Sequence, residues 1–209
     1  MSKSIANESS ARDCLRQATH AEHVRLNRHP LLNGITRQGY PEVHYATVLL
    51  AYFHFYRVFE AAIEEALSRL ALDFDYSARR KLPWLAEDLG KLGIDPDSPA
   101  LKPSPSLEVP YELDTGQLFG VLYTIEGSTL GGKVIAAHLA ANCGLTASNG
   151  ARFFAGYGDA VDTCWRKFTS SLEGHLVDAT ARSQSCHAAR QTFTVMEQVL
   201  NDYANRRIG

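Results

Sequence analysis

The chain has 209 residues, 45% of them hydrophobic, enough for a substantial core in one large domain or two small ones. Its formal net charge is −2, from 21 Lys+Arg against 23 Asp+Glu, which argues against a general polyanion partner such as nucleic acid. Four cysteines (Cys14, Cys143, Cys164, Cys186) show neither CxxC nor metal-ligand spacing, and no signal peptide is visible, so reduced thiols in a cytoplasm are the economical reading.

Residues 1–8 are polar and are expected to fray. Ser9 and Ser10 offer N-caps for a helix from about Ala11 to Asn27, closed before Pro30. Along it Arg16, His20, His23 and Asn27 recur at four, three and four, forming one stripe flanked by Leu15, Thr19 and Leu26. That stripe is too polar for ordinary core. Either it is solvated, or it offers one neutral imidazole to a metal.

A longer helix is expected from Pro41, in its first turn, to about Leu70. Tyr45, Tyr52, Phe53, Phe55, Tyr56 and Phe59 fall on several of its faces, which predicts a helix buried on most of its circumference. His44 and His54 lie on different faces and form no pair, while Glu60, Glu64 and Glu65 read as a solvated tail. A short helix follows from about Ser77 to Leu92, bent or divided by Pro83. Residues 93–114 hold five prolines and read as a surface connector rather than a domain boundary.

The next helix is expected from Thr115 to Cys143, stopped by Gly144, and its length of roughly 40 Å is the depth of a whole domain. Its apolar run from Leu118 to Leu139 contains Glu126, Lys133 and His138, which mark a core helix and not a membrane span. Turns at Gly150 and Gly156-Tyr157-Gly158 lead to a helix from about Asp159 to Gly174 with Trp165, Phe168 and Leu172 as its apolar stripe. A last helix runs from about Ser185 to Asn205. No segment alternates as a strand does, so the fold class is all-α, a single domain over 1–209.

The chain is organised around Tyr123-Thr-Ile-Glu-Gly-Ser-Thr-Leu-Gly-Gly-Lys133. Gly127, Gly131 and Gly132 each forfeit roughly 0.8–1 kcal/mol of helix propensity. Gly127 and Gly131 share a face with Ser128 and Gly132 beside them, a shelf of bare backbone carrying one hydroxyl. Such a shelf admits either a closely packed helix or a large planar ligand. The Glu-x-x-His tetrad of a di-iron bundle, a P-loop, GxGxxG, GxSxG and HExxH are all missing, and Cys164 reads as a buried structural thiol. A histidine stripe, a glycine shelf and scattered cations remain, and these are the ingredients of a heme site.

Leu15-Arg-Gln-Ala-Thr-His-Ala-Glu-His23 resembles the proximal helix of the heme oxygenases, and Glu126-Gly-Ser-Thr-Leu-Gly-Gly132 their distal helix, particularly in the bacterial branch. Phe153-Phe-Ala-Gly-Tyr-Gly158 followed by Trp165-Arg-Lys-Phe168 is similar to a later signature of that family, and the three come in its order over most of the chain. The resemblance implies a multi-helix bundle with heme sandwiched between a proximal and a distal helix. It implies His23 rather than His20 as the axial ligand, and Gly127 and Gly131 letting the distal helix kink over the iron. Ser128 would stand where the animal enzymes have an aspartate, so that ordered water delivers the proton. Arg16, Tyr123 and Arg166 would meet the heme propionates, and Lys133 would face solvent. Asn27 replaces a customary glutamate, which leaves the imidazole N–H a neutral acceptor and raises the iron potential.

The implied activity is cleavage of heme, substrate and cofactor at once, by O2 and external electrons at a meso carbon, α by default, giving biliverdin, CO and Fe(II). It implies a reductase or ferredoxin as electron donor and a phytochrome or a biliverdin reductase as recipient of the product, with no nucleic acid and no membrane. A heme carrier or sensor of the same fold, without turnover, and a thiaminase-like bundle are the alternatives.

Overall fold

The computed structural model describes residues 10–101, 107–109 and 112–206. The expectation for residues 1–8 and part of the proline-rich connector lie outside them. Among the described residues eight α-helices account for the architecture: α1 (Ala11–Ala18), α2 (His20–Asn27), α3 (Glu42–Leu70), α4 (Leu82–Lys91), α5 (Thr115–Cys143), α6 (Arg152–Ala155), α7 (Val161–His175) and α8 (Ala179–Ala204). Among the described residues there is no strand.

Local chemistry sets the helix ends. Ser10 caps α1 by accepting from the Asp13 amide at 3.1 Å, and Glu173 on α7 accepts from the Ala11 and Arg12 amides at 3.0 Å each. The first helix is not continuous as expected but tightens at Thr19 (φ −102°, ψ 0°), whose hydroxyl bonds back to the Leu15 carbonyl at 2.7 Å. Back-bonding of this kind bends a helix, and here it re-aims the histidines that follow. Pro83 sits in the first turn of α4, after a 3-10 turn at Ser77–Arg79. A reciprocal capping box joins Asp114 and Gln117 at the start of α5, and Gly144 in the left-handed region (φ +68°) ends it. The last helix begins six residues earlier than Ser185, because Asp178 caps it through the Ala181 amide at 2.8 Å.

The aromatic helix α3 is the core: Tyr45, Val48, Leu49, Leu50, Phe55, Tyr56, Phe59 and Ile63 are all but inaccessible. By length and composition α3 could cross a membrane, yet 67% of that window is buried inside the protein. Glu60 is a correction to the solvated tail. It is 1% exposed and accepts from the Lys81 and Leu82 amides and from the Tyr76 hydroxyl, whereas Glu64 and Glu65 are exposed as expected.

The helix that positions the rest is α8. Thr124 donates to the Ala189 carbonyl at 3.3 Å, Gly120 abuts Ser185 and Gly116 abuts Ala181, so α5 and α8 run parallel in fixed register. A Cβ at Gly120 would stand 2.2 Å from the Ser185 carbonyl oxygen, and one at Gly116 2.7 Å from that of Ala181. Further along, α8 turns to α2: Arg190 meets Glu22 at 2.8 Å, Glu197 meets Arg25 at 2.7 Å and Asn201 meets His29 at 3.2 Å. The first half of α8 thus holds α5 and its second half holds α2, which leaves a gap between those two partners. Gly120→Ala is expected to cost about 3 kcal/mol or more, by forcing apart two helices with no room to yield, measured as a fall in the urea midpoint of the apoprotein.

Candidate heme-binding site

A cavity of about 690 Å³ fills the gap between α2 and α5, within the size range of small-molecule sites. Arg16, Thr19, His20, His23 and Asn27 line one wall, and Tyr123, Gly127, Ser128, Gly131 and Ile135 the wall opposite. Aromatic rings close the sides: Tyr52 and Tyr56 from α3, Phe153 and Phe154 from α6, Trp165 from α7 and Phe193 from α8. Asp88, wholly buried on α4, holds α6 in place by accepting from the Arg152 and Phe153 amides at 2.8 Å each.

The glycines divide between two tasks. Gly132, read as part of the open shelf, is buried against α6, where a Cβ would lie 2.9 Å from the Phe154 carbonyl oxygen. Gly131 has nothing within 4 Å of its absent Cβ, and Gly127 meets only the edge of Trp165 at 3.7 Å. Close helix packing therefore belongs to Gly116, Gly120 and Gly132, and the bare cavity face to Gly127 and Gly131. Both halves of the alternative posed by the sequence occur, on different turns of one helix.

On the wall of α2 both His20 and His23 face the cavity. His23 packs edge-on against Phe193 with ring centroids 6.0 Å apart, and Asn27 Nδ2 lies 3.5 Å from its Nδ1 and 3.4 Å from its Nε2. The nearest amide atom is thus the nitrogen and not the expected oxygen. Burial, reinforced by the neighbouring His20, holds the His23 imidazole below its ordinary pKa, so the neutral form that binds metals prevails.

On the facing wall Ser128 Oγ donates to the Ile125 carbonyl at 2.7 Å and stands 3.4 Å from the Tyr56 hydroxyl. With its own proton committed to the helix, Ser128 is left as an acceptor and Tyr56 as the donor of the pair. Burial pushes the Tyr56 hydroxyl far above the usual phenol range, which keeps that proton in place.

The charge on the walls is one-sided. Arg16, Arg37 and Lys81 line the cavity, and no Asp or Glu does among the described residues. Arg16 and Arg37 are exposed at the rim, whereas Lys81 is 1% exposed. Tyr123 is half-buried on the Arg16 side, where Arg12 and Arg16 partly offset the effect of burial on its hydroxyl. Arg166 is not brought to the cavity: it is exposed on α7 and its guanidinium meets Thr163 Oγ1 at 3.2 Å. Lys133 is exposed, 3.9 Å from Asp162, as expected.

Tyr56, Lys81 and Arg37 escaped the reading of the sequence. Tyr56 carried a faint signal, as a hydroxyl one turn after Tyr52 on an otherwise phenylalanine-rich helix. Arg37 carried none, because it stands outside periodic segments, and Lys81, inside the helix expected from about Ser77 to Leu92, carried none because a lone lysine there reads as surface.

A slot with an imidazole on one wall, bare backbone on the other, aromatic sides and rim cations suits a flat dianionic macrocycle with a central metal. Relatives agree. The sequence profile of the family described as Heme oxygenase matches residues 9–202. The Heme oxygenase of Xanthomonas campestris pv. campestris (strain 8004) is 34% identical over 150 residues, 71% of this chain and 84% of that protein. Two solved structures share the fold: the NO- and CO-bound heme oxygenase of Neisseria meningitidis, with TM-score 0.75, 22% identity and coverage of 96% of this chain and 95% of that one, and heme oxygenase-2 of Synechocystis sp. in complex with heme and NO, with TM-score 0.72, 15% identity and coverage of 93% and 85%. The chain belongs to the heme oxygenase family, and its activity is the oxidative cleavage of heme to biliverdin, CO and Fe(II).

Proposed function

We propose that His23 holds the heme iron, that Gly127 and Gly131 admit the macrocycle against backbone, and that Arg16 and Tyr123 take its propionates. The observation that carries this assignment is the pairing of the neutral His23 imidazole with two open glycine positions across a cavity that, among the described residues, no carboxylate lines. Arg166 meets no cavity surface and is left out of the set.

Bound heme supplies O2 activation and the carbon atom that is attacked. The chain's share is orientation, hydrogen bonding and the exclusion of bulk water. With the Asn27 amide nitrogen beside the ring, the imidazole N–H has no carboxylate acceptor there, so less electron density would be pushed toward the iron than a carboxylate neighbour would give. Gly127 and Gly131 would leave the space beside bound heme free of side chains. Ser128 accepts and Tyr56 donates, a pair that can anchor an ordered water as the proton relay in place of an acid. Tyr56 passes its proton only through such a relay, because its own ionisation is strongly suppressed.

External electrons come from a reductase or ferredoxin, since neither a flavin nor a nicotinamide motif is present in the sequence. The α isomer is assigned to the product, with the Arg16–Tyr123 edge fixing the in-plane orientation. A cytoplasmic setting, with a phytochrome or a biliverdin reductase as recipient, completes the reading.

Two substitutions test the site. His23→Ala is expected to abolish the His-ligated Soret spectrum and to weaken heme binding by at least the roughly 10–100-fold that loss of an outer-shell partner costs a metal site. Added imidazole should restore the spectrum, and an unchanged spectrum in the variant would reassign the ligand to His20. Gly131→Ala is expected to stabilise the apoprotein by about 0.8–1 kcal/mol, a Tm gain of about 2–4 °C, because the methyl meets no protein atom. The same methyl enters the slot, so biliverdin formation from bound heme should fall while the apoprotein gains.

A further inference from the structure

One hydroxyl of the slot has no use in the roles assigned so far. Elsewhere among the described residues every tyrosine hydroxyl is engaged. Tyr40, Tyr45 and Tyr203 donate to backbone carbonyls, Tyr76 and Tyr157 to carboxylates, and Tyr56 and Tyr123 pair with the hydroxyls of Ser128 and Thr19. Tyr52 has no hydrogen-bond partner among the described residues, although it is only 8% exposed and lines the cavity. A phenol O–H left unpaired in a protein interior is costly and rare, so it points to something bound in the adjoining space.

The neighbours of Tyr52 fix its place in the slot. It lies one turn before Tyr56 on α3, so the two share a face, with ring centroids 6.4 Å apart. Its ring packs on that of Phe153 at 5.5 Å. Tyr56 stands opposite Ser128, whereas α6, with Phe153 and Phe154, stands against Gly132, one turn further along α5. The slot therefore runs from Tyr123, past the Ser128–Tyr56 pair, to an inner end at Tyr52, and Tyr123 and Gly132 are about 14 Å apart along the axis of α5. Phe153, Phe154 and Ile135 give that end an apolar lining in which the Tyr52 hydroxyl stands. Burial, with a smaller contribution from Tyr40, pushes this hydroxyl far above the usual phenol range, so it stays protonated and acts as a donor.

We propose that Tyr52 is a positioning residue at the inner end of the slot, whose free hydroxyl donates a hydrogen bond to a small ligand beside the heme iron and inclines it away from the propionate edge. This role rests on the heme assignment and extends it. With the propionates at Arg16 and Tyr123, the meso bridge farthest from them, the α bridge, lies toward Tyr52. Ser128 and Tyr56 already answer each other in the middle of the slot, whereas Tyr52 has its donor uncommitted. Open glycine positions give the ligand room on every side, and one fixed donor at the inner end supplies the direction.

Tyr52→Phe removes one oxygen atom and tests this directly. In the apoprotein the Tm should be unchanged or higher, because no protein partner is lost. Azide, an anion and a good hydrogen-bond acceptor, should bind the ferric heme complex about tenfold more weakly, while carbon monoxide, a poor acceptor, should bind the ferrous complex within about twofold of the unaltered protein. Turnover of bound heme should give a smaller share of the α isomer than the unaltered protein gives. Unchanged azide affinity, a parallel loss of both ligands, or an unchanged isomer ratio overturns the proposal. A lower Tm, or a variant that does not fold, also overturns it, because the hydroxyl would then serve the fold. An unaltered protein that forms no heme complex would instead defeat the heme assignment on which the role rests.

Discussion

Everything in this protein follows from how closely two backbones approach along the first turns of α5. Gly116 and Gly120 leave no room for a Cβ against α8, so the pair locks in parallel register before Thr124 bonds to Ala189. Once that register is set, the remaining length of α8 is free to engage α2 through Arg190, Glu197 and Asn201. One helix then holds two others at different heights, and the wedge between them is the cavity. The next glycines on α5, Gly127 and Gly131, are again four apart but begin seven residues after Gly120, past the point where the neighbour has departed. The same side-chain deletion that closes one interface leaves the other open.

The polarity of the slot is built with equal economy. Acidic residues are kept off its surface and used as struts behind it: Asp88 fixes α6, Glu60 fixes the start of α4, and Glu126 gathers Arg79, Lys81 and Tyr157. Cations remain at the rim and in the interior. This lining suits a dianionic ligand, and the imidazole of His23 stays neutral. The same buried carboxylates that tie the helices together thus stay off the lining of the slot among the described residues.

How much of this was legible in the sequence depended on periodicity. The bounds of α5, the stripe of Arg16, His20, His23 and Asn27, and the aromatic burial of α3 were all readable, because each rests on helical spacing within one segment. Gly116 and Gly120 drew no notice, since their reason lies on α8, sixty-five positions further on, and no local pattern announces a register. Glu60 looked like surface for the same reason: its partners are amides of a loop about twenty residues away. Arg37 belongs to an irregular stretch where spacing carries no directional meaning, and Lys81, inside an expected helix, is buried by Glu126 and Tyr157, partners far along the chain. Arg166, adjacent to the cavity residue Trp165 in sequence, illustrates the converse, since neighbouring positions on a helix point about 100° apart.

The most direct measurement of the account is the identity of the pigment formed by one turnover of the bound heme. The wild-type complex would be supplied with electrons by ferredoxin and its reductase in air, and the products separated chromatographically while released CO is counted. A slot that grips heme between His23 and the Gly127–Gly131 face, with its propionates fixed at Arg16 and Tyr123, predicts a single biliverdin isomer, the α form, with one CO per heme. A mixture of isomers would contradict the fixed orientation, and an oxygenated complex that persists without ring opening would contradict the activity itself.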